Sequence, residues 1–345
     1  MRHAKAITAL LVVTGGLLMA PRPVGANPYP ATPGEAPVSI KIATCAIAGG
    51  FIHLYAALDA NLFEKYGLRV EHIGIRGSSP SLAALAADEV QFLYCSGDAT
   101  APGLASGIDA KFIATPLVGQ PWVLLAHKDV KRPEDLKGKA IGVSRPGQLT
   151  YRLARAFAKR FNLENDVQIR PVGEGQVDGY KAMVAGTVQA CQVTPPLDVQ
   201  GKKDGFNVVF NMNDLDPLAL YSSLHTNSKM LRERPAIVQK VVAAMAEAIH
   251  FVEKNPDRAK ASVGKALKLT DPESLQSAYD AYARALINRR MLVPANAVAE
   301  NVEVAREAGA AVKRRPEEIF DNSFAEHLEK SGFLKELWGE LPKAK

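Results

Sequence analysis

The stretch IATCAIAGGFIHLYAALDANLFEKYGL, residues 42–68, runs from an apolar strand-like segment through a small turn at Gly49 and Gly50 into a helix-like one. In its helical part Leu54, Ala57, Leu58, Leu62 and Phe63 fall three and four apart, and Gly67 supplies the stop. This spacing predicts one amphipathic helix over 52–66. About a hundred residues later IGVSRPGQLTYRLARAFAKRFNL, residues 141–163, repeats the order of strand, turn and helix.

Working outward, the first round reads as strand 38–44, helix 52–66, strand 69–75, helix 80–88, strand 90–95, a small-residue turn SGDATAP at 96–102, and strand 111–117. The second reads as strand 139–144, helix 148–161, strand 167–172, helix 176–186, strand 188–193, turn TPPLD at 194–198, and strand 207–212. Ile42 matches Ile141, and Val90-Gln91 matches Val188-Gln189, at offsets of 99 and 98. Alternation of this kind predicts an α/β protein whose lobes each hold a mostly parallel sheet flanked by helices. PWVLLAHKD, 121–129, and LALYSSLHTN, 218–227, read as strands that carry the chain between the lobes, giving two crossings and a hinge. Beyond Asn227 the pattern is helical, and these helices are expected to pack on the first lobe. The expected division is therefore 38–121 with 218–345 as lobe I and 122–217 as lobe II.

The amino end is of another kind. MRHAK supplies a basic start, AITALLVVTGGLLMA an apolar run, and Val24-Gly25-Ala26 a small-residue ending, so 1–26 reads as an export signal cleaved near Ala26. NPYPATPGEAP, 27–37, is rich in proline and small residues and reads as a flexible tether that buries little. Among the 345 residues Lys and Arg exceed Asp and Glu by 6; the signal holds Arg2, Lys5 and Arg22 and no acid, which leaves 6 − 3 = +3 for the mature chain. That balance neither demands nor excludes an anionic partner. No basic stripe interleaved with aromatics is present, so nucleic acid is set aside as a partner.

In an open parallel sheet the ligand crevice lies beyond the carboxyl ends of the strands. The candidate binding residues are those the turns place there: Cys45, Gly49, Gly50 and Phe51; Arg76, Ser78 and Ser79; Ser96, Gly97 and Asp98; Gln120; Arg145, Gly147, Gln148 and Thr150; Thr194; and Tyr221. Glycines admit close backbone approach, helix-start N–H groups favour an anionic group, and arginine can clamp a carboxylate or sulfonate. Trp122, Tyr151 and Tyr221 could stack on a ring or serve the core. Gly, Ser and Asn are also what any strand-to-helix turn requires, so the set weighs more than its members.

The seven histidines include no close pair, and no Cys-x-x-Cys spacing occurs, so no metal and no cofactor is expected. Cys45 and Cys95 end strands that are neighbours if the first sheet runs 2-1-3. They could pair, but adjacent parallel strands rarely offer disulfide geometry, and two reduced, largely buried thiols are the expectation. Cys191 holds the corresponding place in the second lobe and is expected to be inert.

ALDANLFEKYGLRVE (57–71), LAALAADEVQF (82–92), RPEDLKGKAIGVSRPGQ (132–148) and MVAGTVQACQVTPP (183–196) together resemble the solute-binding proteins of ABC importers for nitrate, sulfonates and taurine, whose relatives bind thiamine-pyrimidine precursors. The family commonly has Gly where Asn61 and Asp88 stand, and Asp where Gln91 and Gln189 stand. The resemblance implies a two-lobed periplasmic binding protein of type II fold. Such a protein is a monomer that closes on a small organic molecule and delivers it to a membrane permease powered by a separate ATPase. Desulfinases similar to this family place a nucleophilic cysteine where Cys45 stands, so a thiol enzyme is the rival reading, and a ligand-presenting sensory module is a second.

Overall fold

The computed structural model describes residues 27–144, 149–173, 175–215 and 218–343. The export signal read over 1–26 lies outside the described residues, as do Arg145, Gly147 and Gln148.

Two five-stranded sheets form. The first comprises β1 (Val38–Thr44), β2 (Leu68–Gly74), β3 (Phe92–Cys95) and β4 (Lys111–Val118), and the chain returns to it after the second sheet as β10 (Leu220–Thr226). The second comprises β5 (Val123–Ala126), β6 (Ala140–Val143), β7 (Gln168–Pro171), β8 (Ala190–Val193) and β9 (Asn207–Asn211). The orders are β2-β1-β3-β10-β4 and β7-β6-β8-β5-β9. The expected 2-1-3 start is therefore present, and the second sheet repeats it.

Each sheet is more mixed than the alternation suggests. β10 runs antiparallel to both β3 and β4, and β5 antiparallel to both β8 and β9. The segments read as carriers between lobes are thus interior strands, one in each sheet. A strand that arrives by crossing from the other lobe enters from the opposite end, which fixes its direction. Residues on the two passages between the sheets are bonded to each other: Gly119 N donates to Ala219 O at 2.8 Å, and Gln120 N to Asn213 Oδ1 at 2.8 Å.

The helices of the first round are α1 (Ile52–Asp59), α2 (Leu62–Lys65), α3 (Ser78–Ala86) and α4 (Gly97–Ala105). The single helix predicted over 52–66 is broken, because Asn61 takes a left-handed φ of 54°. Asp88 does the same at 59°, at the turn into β3. Short polar side chains bear this conformation best after glycine, which accounts for Asn and Asp at positions where the resembled family has Gly. SGDATAP is no open turn but the start of α4, capped by Ser96 Oγ, which accepts from Ala99 N at 3.4 Å.

The second round holds α5 (Leu149–Arg160), α6 (Gln176–Val184) and α7 (Leu197–Lys203), the last not foreseen. The repeat reaches side-chain bonding. Gln91 accepts from Lys41 N at 3.0 Å and donates to Asp88 O at 3.2 Å; Gln189 accepts from Ala140 N at 3.1 Å and donates to Gly186 O at 3.3 Å.

The remaining helices are α8 (Ser228–Glu233), α9 (Pro235–Lys254), α10 (Pro256–Leu267), α11 (Pro272–Asp280), α12 (Ala295–Glu307), α13 (Ser323–Lys330) and α14 (Phe333–Trp338). They cover the first sheet as expected: α9 buries Val238, Val241, Val242, Met245 and Ile249 in one core with Ile52 and Leu54 of α1 and Ile113 of β4. A five-residue π turn, Ala281–Ala285, continues α11. Residues 27–37 have no regular structure but are not a tether. Tyr29 is buried, its hydroxyl bonds Ser331 Oγ at 2.7 Å, its ring meets Phe333 edge-on, and Glu35 pairs with Lys240. One aromatic side chain suffices to dock a segment otherwise made of small residues and prolines.

Candidate ligand cleft between the two sheets

The carboxyl ends of β1, β3, β6 and β8 carry the candidate residues, and contacts between the sheets' helices and turns show which of them meet. After β1 the chain passes through Cys45–Ala48 into a tight turn, Gly49–Phe51, that leads into α1. A Cβ on Gly49 would lie 2.5 Å from the Tyr282 ring, and one on Gly50 2.5 Å from the Tyr221 ring. Those rings stack on each other, centroids 5.6 Å apart at 10°. The two glycines therefore make room for an aromatic pair rather than presenting bare backbone. Phe51 is buried among Tyr55 and Tyr94.

The pair reaches across to the other sheet: Tyr282 OH donates to Pro195 O at 2.9 Å, just past β8, in a Pro195-Pro196 segment joined by a cis bond. Tyr221 OH donates to Tyr282 OH at 3.4 Å. Burial pushes the Tyr221 phenol up to about 12 and also holds that of Tyr282 well above its ordinary value, so both stay protonated and able to donate. Further along, Ser277 Oγ donates to Asp198 Oδ1 at 3.2 Å, and Lys203 Nζ pairs with Asp271 at 2.7 Å and Glu273 at 3.4 Å. Beside these contacts a cavity of about 530 Å³ is lined by Gln120 and Asn213 on the passages between the sheets, by Asn211 at the end of β9, and by Glu273, Ser277 and Asp280 of α11.

Cys45 and Cys95 form a disulfide, with Cα atoms 5.4 Å apart, against the expectation of two thiols. β1 and β3 pair at a constant offset of 50, Ile42 with Phe92 through Thr44 with Tyr94, so the cysteines come next in line. Cys45 lies one residue past the end of β1 and is free of strand geometry, which removes the objection that adjacent parallel strands pair poorly. Cys45 is therefore neither a free ligand-facing thiol nor a nucleophile. Cys191 is buried, and burial pushes its thiol up to about 12, which leaves it inert as expected. His53 is wholly buried with both ring nitrogens unpartnered, and burial lowers it to about 3, so it is neutral.

Gly97 and Asp98 turn inward. A Cβ on Gly97 would meet Leu220 Cβ at 2.5 Å, and Asp98 Oδ1 accepts from Leu220 N at 3.1 Å and from Asn301 Nδ2 at 2.9 Å. Because α4 begins directly at Gly97, its first turn packs on β10 and α12 instead of opening to a ligand. Ser96 is spent on capping α4, Ser78 and Ser79 open α3 with the first half-buried and the second exposed, and Arg76 is exposed in the turn between β2 and α3. Thr150 accepts from Ser144 N at 2.9 Å and also bonds Ser144 Oγ. Thr194 donates from N and from Oγ1 to Gln176 Oε1 at 2.7 and 3.1 Å.

The turns expected to face the cleft include Gly49, Gly50, Gln176, Thr194 and Tyr221, whereas Tyr282 and the contact of α7 with α11 were not foreseen. No pattern marked Tyr282, since a π turn shifts its side chain off the helical period. Among the described residues no group of three metal-ligating side chains gathers.

The sequence profile of the NMT1/THI5-like family matches residues 49–259. A protein of Brucella abortus, assigned as a binding protein, is 26% identical over 216 residues, 62% of this chain and 66% of its own length; the chain thus covers just under two thirds of that relative. An aliphatic sulfonates-binding protein assigned in Bacillus subtilis is 26% identical over 203 residues, 57% of this chain and 60% of its own. Among solved structures, the periplasmic aliphatic sulphonate binding protein SsuA of Escherichia coli superimposes with a TM-score of 0.68 at 17% identity, covering 84% of this chain and 94% of that one. The fold is therefore that of the periplasmic binding proteins. With its family profile matched over more than half its length, the chain belongs to the NMT1/THI5-like family.

Proposed function

We propose that the protein is the substrate-binding component of an ABC importer, capturing a small organic molecule between its lobes and delivering it to a permease driven by a separate ATPase. Lobe I is 38–121 with 218–345 and lobe II is 122–217; the protein works outside the cytoplasm, in the periplasm, as a monomer, and carries out no reaction itself. The observation that carries this reading is the bridged cleft: two sheets of matching order whose ligand-side turns meet through Tyr282 and Pro195, with paired crossings behind them. Such a body responds to a ligand that touches both lobes by favouring the closed form. Family membership and the sulfonate-binding relative of Bacillus subtilis support a sulfonate-like or carboxylate-like ligand.

The thiol-enzyme rival loses its nucleophile, because Cys45 is held in a disulfide and His53, its nearest histidine in sequence, is buried and neutral. A melting-temperature screen of sulfonates, carboxylates, nitrate and small heterocycles tests the carrier reading. A true ligand at 100 times its Kd adds about 2.7 kcal/mol of stability, a shift of several degrees. A screen in which no compound moves the transition would count against carriage.

A further inference from the structure

Along β8 the side chains alternate. Cys191 and Val193 pack in the core on one side of the sheet, whereas Ala190 lies in the core beneath α5, and Gln192 shares that face with it. On this face Gln192 stands across from Leu124 of β5, and the β6 register puts Val143 at its other side. Both neighbours are apolar. Gln192 is 2% exposed, and neither its amide oxygen nor its amide nitrogen has a partner. The indole Nε1 of Trp122, two residues before Leu124 on the same face and nearer the cleft, is also buried without an acceptor. Ser144 and Thr150, the hydroxyls at the cleft end of β6, bond each other.

A buried primary amide with four empty hydrogen-bond positions costs more than an apolar residue of the same shape. Its place at the ligand end of the strand, next to a second orphaned donor, is the arrangement of a site awaiting its partner. We propose that Gln192 and Trp122 read one edge of the ligand, and that this edge both donates and accepts hydrogen bonds, as an amide or lactam does. This rests on the carrier reading and adds an amide-like edge to its ligand, beside any sulfonate or carboxylate group the ligand carries elsewhere. Nitrate or an alkanesulfonate offers acceptors alone; it would satisfy Trp122 Nε1 and the Gln192 nitrogen but leave the Gln192 oxygen bare. Both groups are shut from solvent in this form, so the ligand enters as the lobes part.

The test uses the full chain, with nicotinamide and 2-pyridone as amide-edged probes and methanesulfonate and nitrate as acceptor-only probes. Calorimetric titration should show the amide-edged probes binding about tenfold more tightly than the others. Gln192→Met should abolish that preference and raise the melting temperature of the ligand-free protein by about 1–3 °C, since it removes orphaned polar atoms at constant length. Trp122→Phe, which keeps the ring, should weaken the amide-edged probes about fivefold. Oxyanions that bind wild type and Gln192→Met alike would overturn the edge assignment and leave the carrier reading standing. Amide-edged probes that fail to bind wild type, or a Gln192→Met protein that melts lower while keeping them, would also overturn it.

Discussion

Two buried histidines set how this protein meets acid. His53, with no partner for either ring nitrogen, is lowered to about 3, and His225, bonded to Thr100 and the Leu93 carbonyl, to about 4, in both cases by burial. Their folded values lie below the ordinary 6.5, so the unfolded chain takes up protons first as pH falls. Stability is full above about pH 6.5 and is lost progressively toward pH 4 and then 3. Replacing His53 by Leu should leave the melting temperature at pH 7 no lower and make its decline between pH 6.5 and 4 visibly shallower. An unchanged slope would mean that His53 takes a proton inside the fold. At this scale the sequence was least informative: Gly97 and Asp98 looked like ligand groups because their types suit any turn, while tertiary contact with Leu220 and Asn301 decided otherwise.

Among the elements, the tie between the turn after β1 and the end of β3 has the largest expected effect. The Cys45–Cys95 disulfide closes a loop with a sequence separation of 50, and cross-links of that span contribute about 2–4 kcal/mol by restricting the unfolded chain. Reduction, or the double change Cys45→Ser with Cys95→Ser, should lower the melting temperature by several degrees, whereas Cys191→Ser should be indifferent to reductant. Equal melting with and without reductant would refute the pairing. The strands themselves were legible from residue types: β1, β4, β6 and β10 fall within a residue or two of their expected bounds, because apolar runs between glycine and proline signals are local features. The disulfide was not, since it depends on the register of β1 against β3, which no local pattern encodes. The break at Asn61 escaped for the opposite reason, interrupting a helical period that continues on both sides, and the π turn at Ala281–Ala285 because it prolongs the helical pattern of α11 with no signal of its own.

For the molecule as a whole, the opening of the lobes proposed above would have to break the bond between Tyr282 and Pro195. Tyr282→Phe keeps the ring against Gly49 and removes the hydrogen bond to Pro195 O, worth about 1 kcal/mol, or about a fivefold change in the ratio of the two forms. Solution scattering of the ligand-free variant should therefore give a larger radius of gyration than wild type. Identical scattering profiles would show that the hydroxyl does not hold the lobes together. The two-round plan and the docking of the last helices on the first sheet could be foreseen from element order. The cleft's own chemistry could be foreseen only in part: Trp122 was marked by its type and place, but Tyr282 and Gln192 acquire their roles only when distant segments are brought together.

Tyr29 bonds to Ser331 across a sequence separation of 302, and Glu35 to Lys240 across 205. The first packed side chain of the described protein thus finds its partner only when nearly the whole polypeptide has been made. Synthesis from the amino end leaves that tyrosine idle until the last turns emerge, so the body is sealed late.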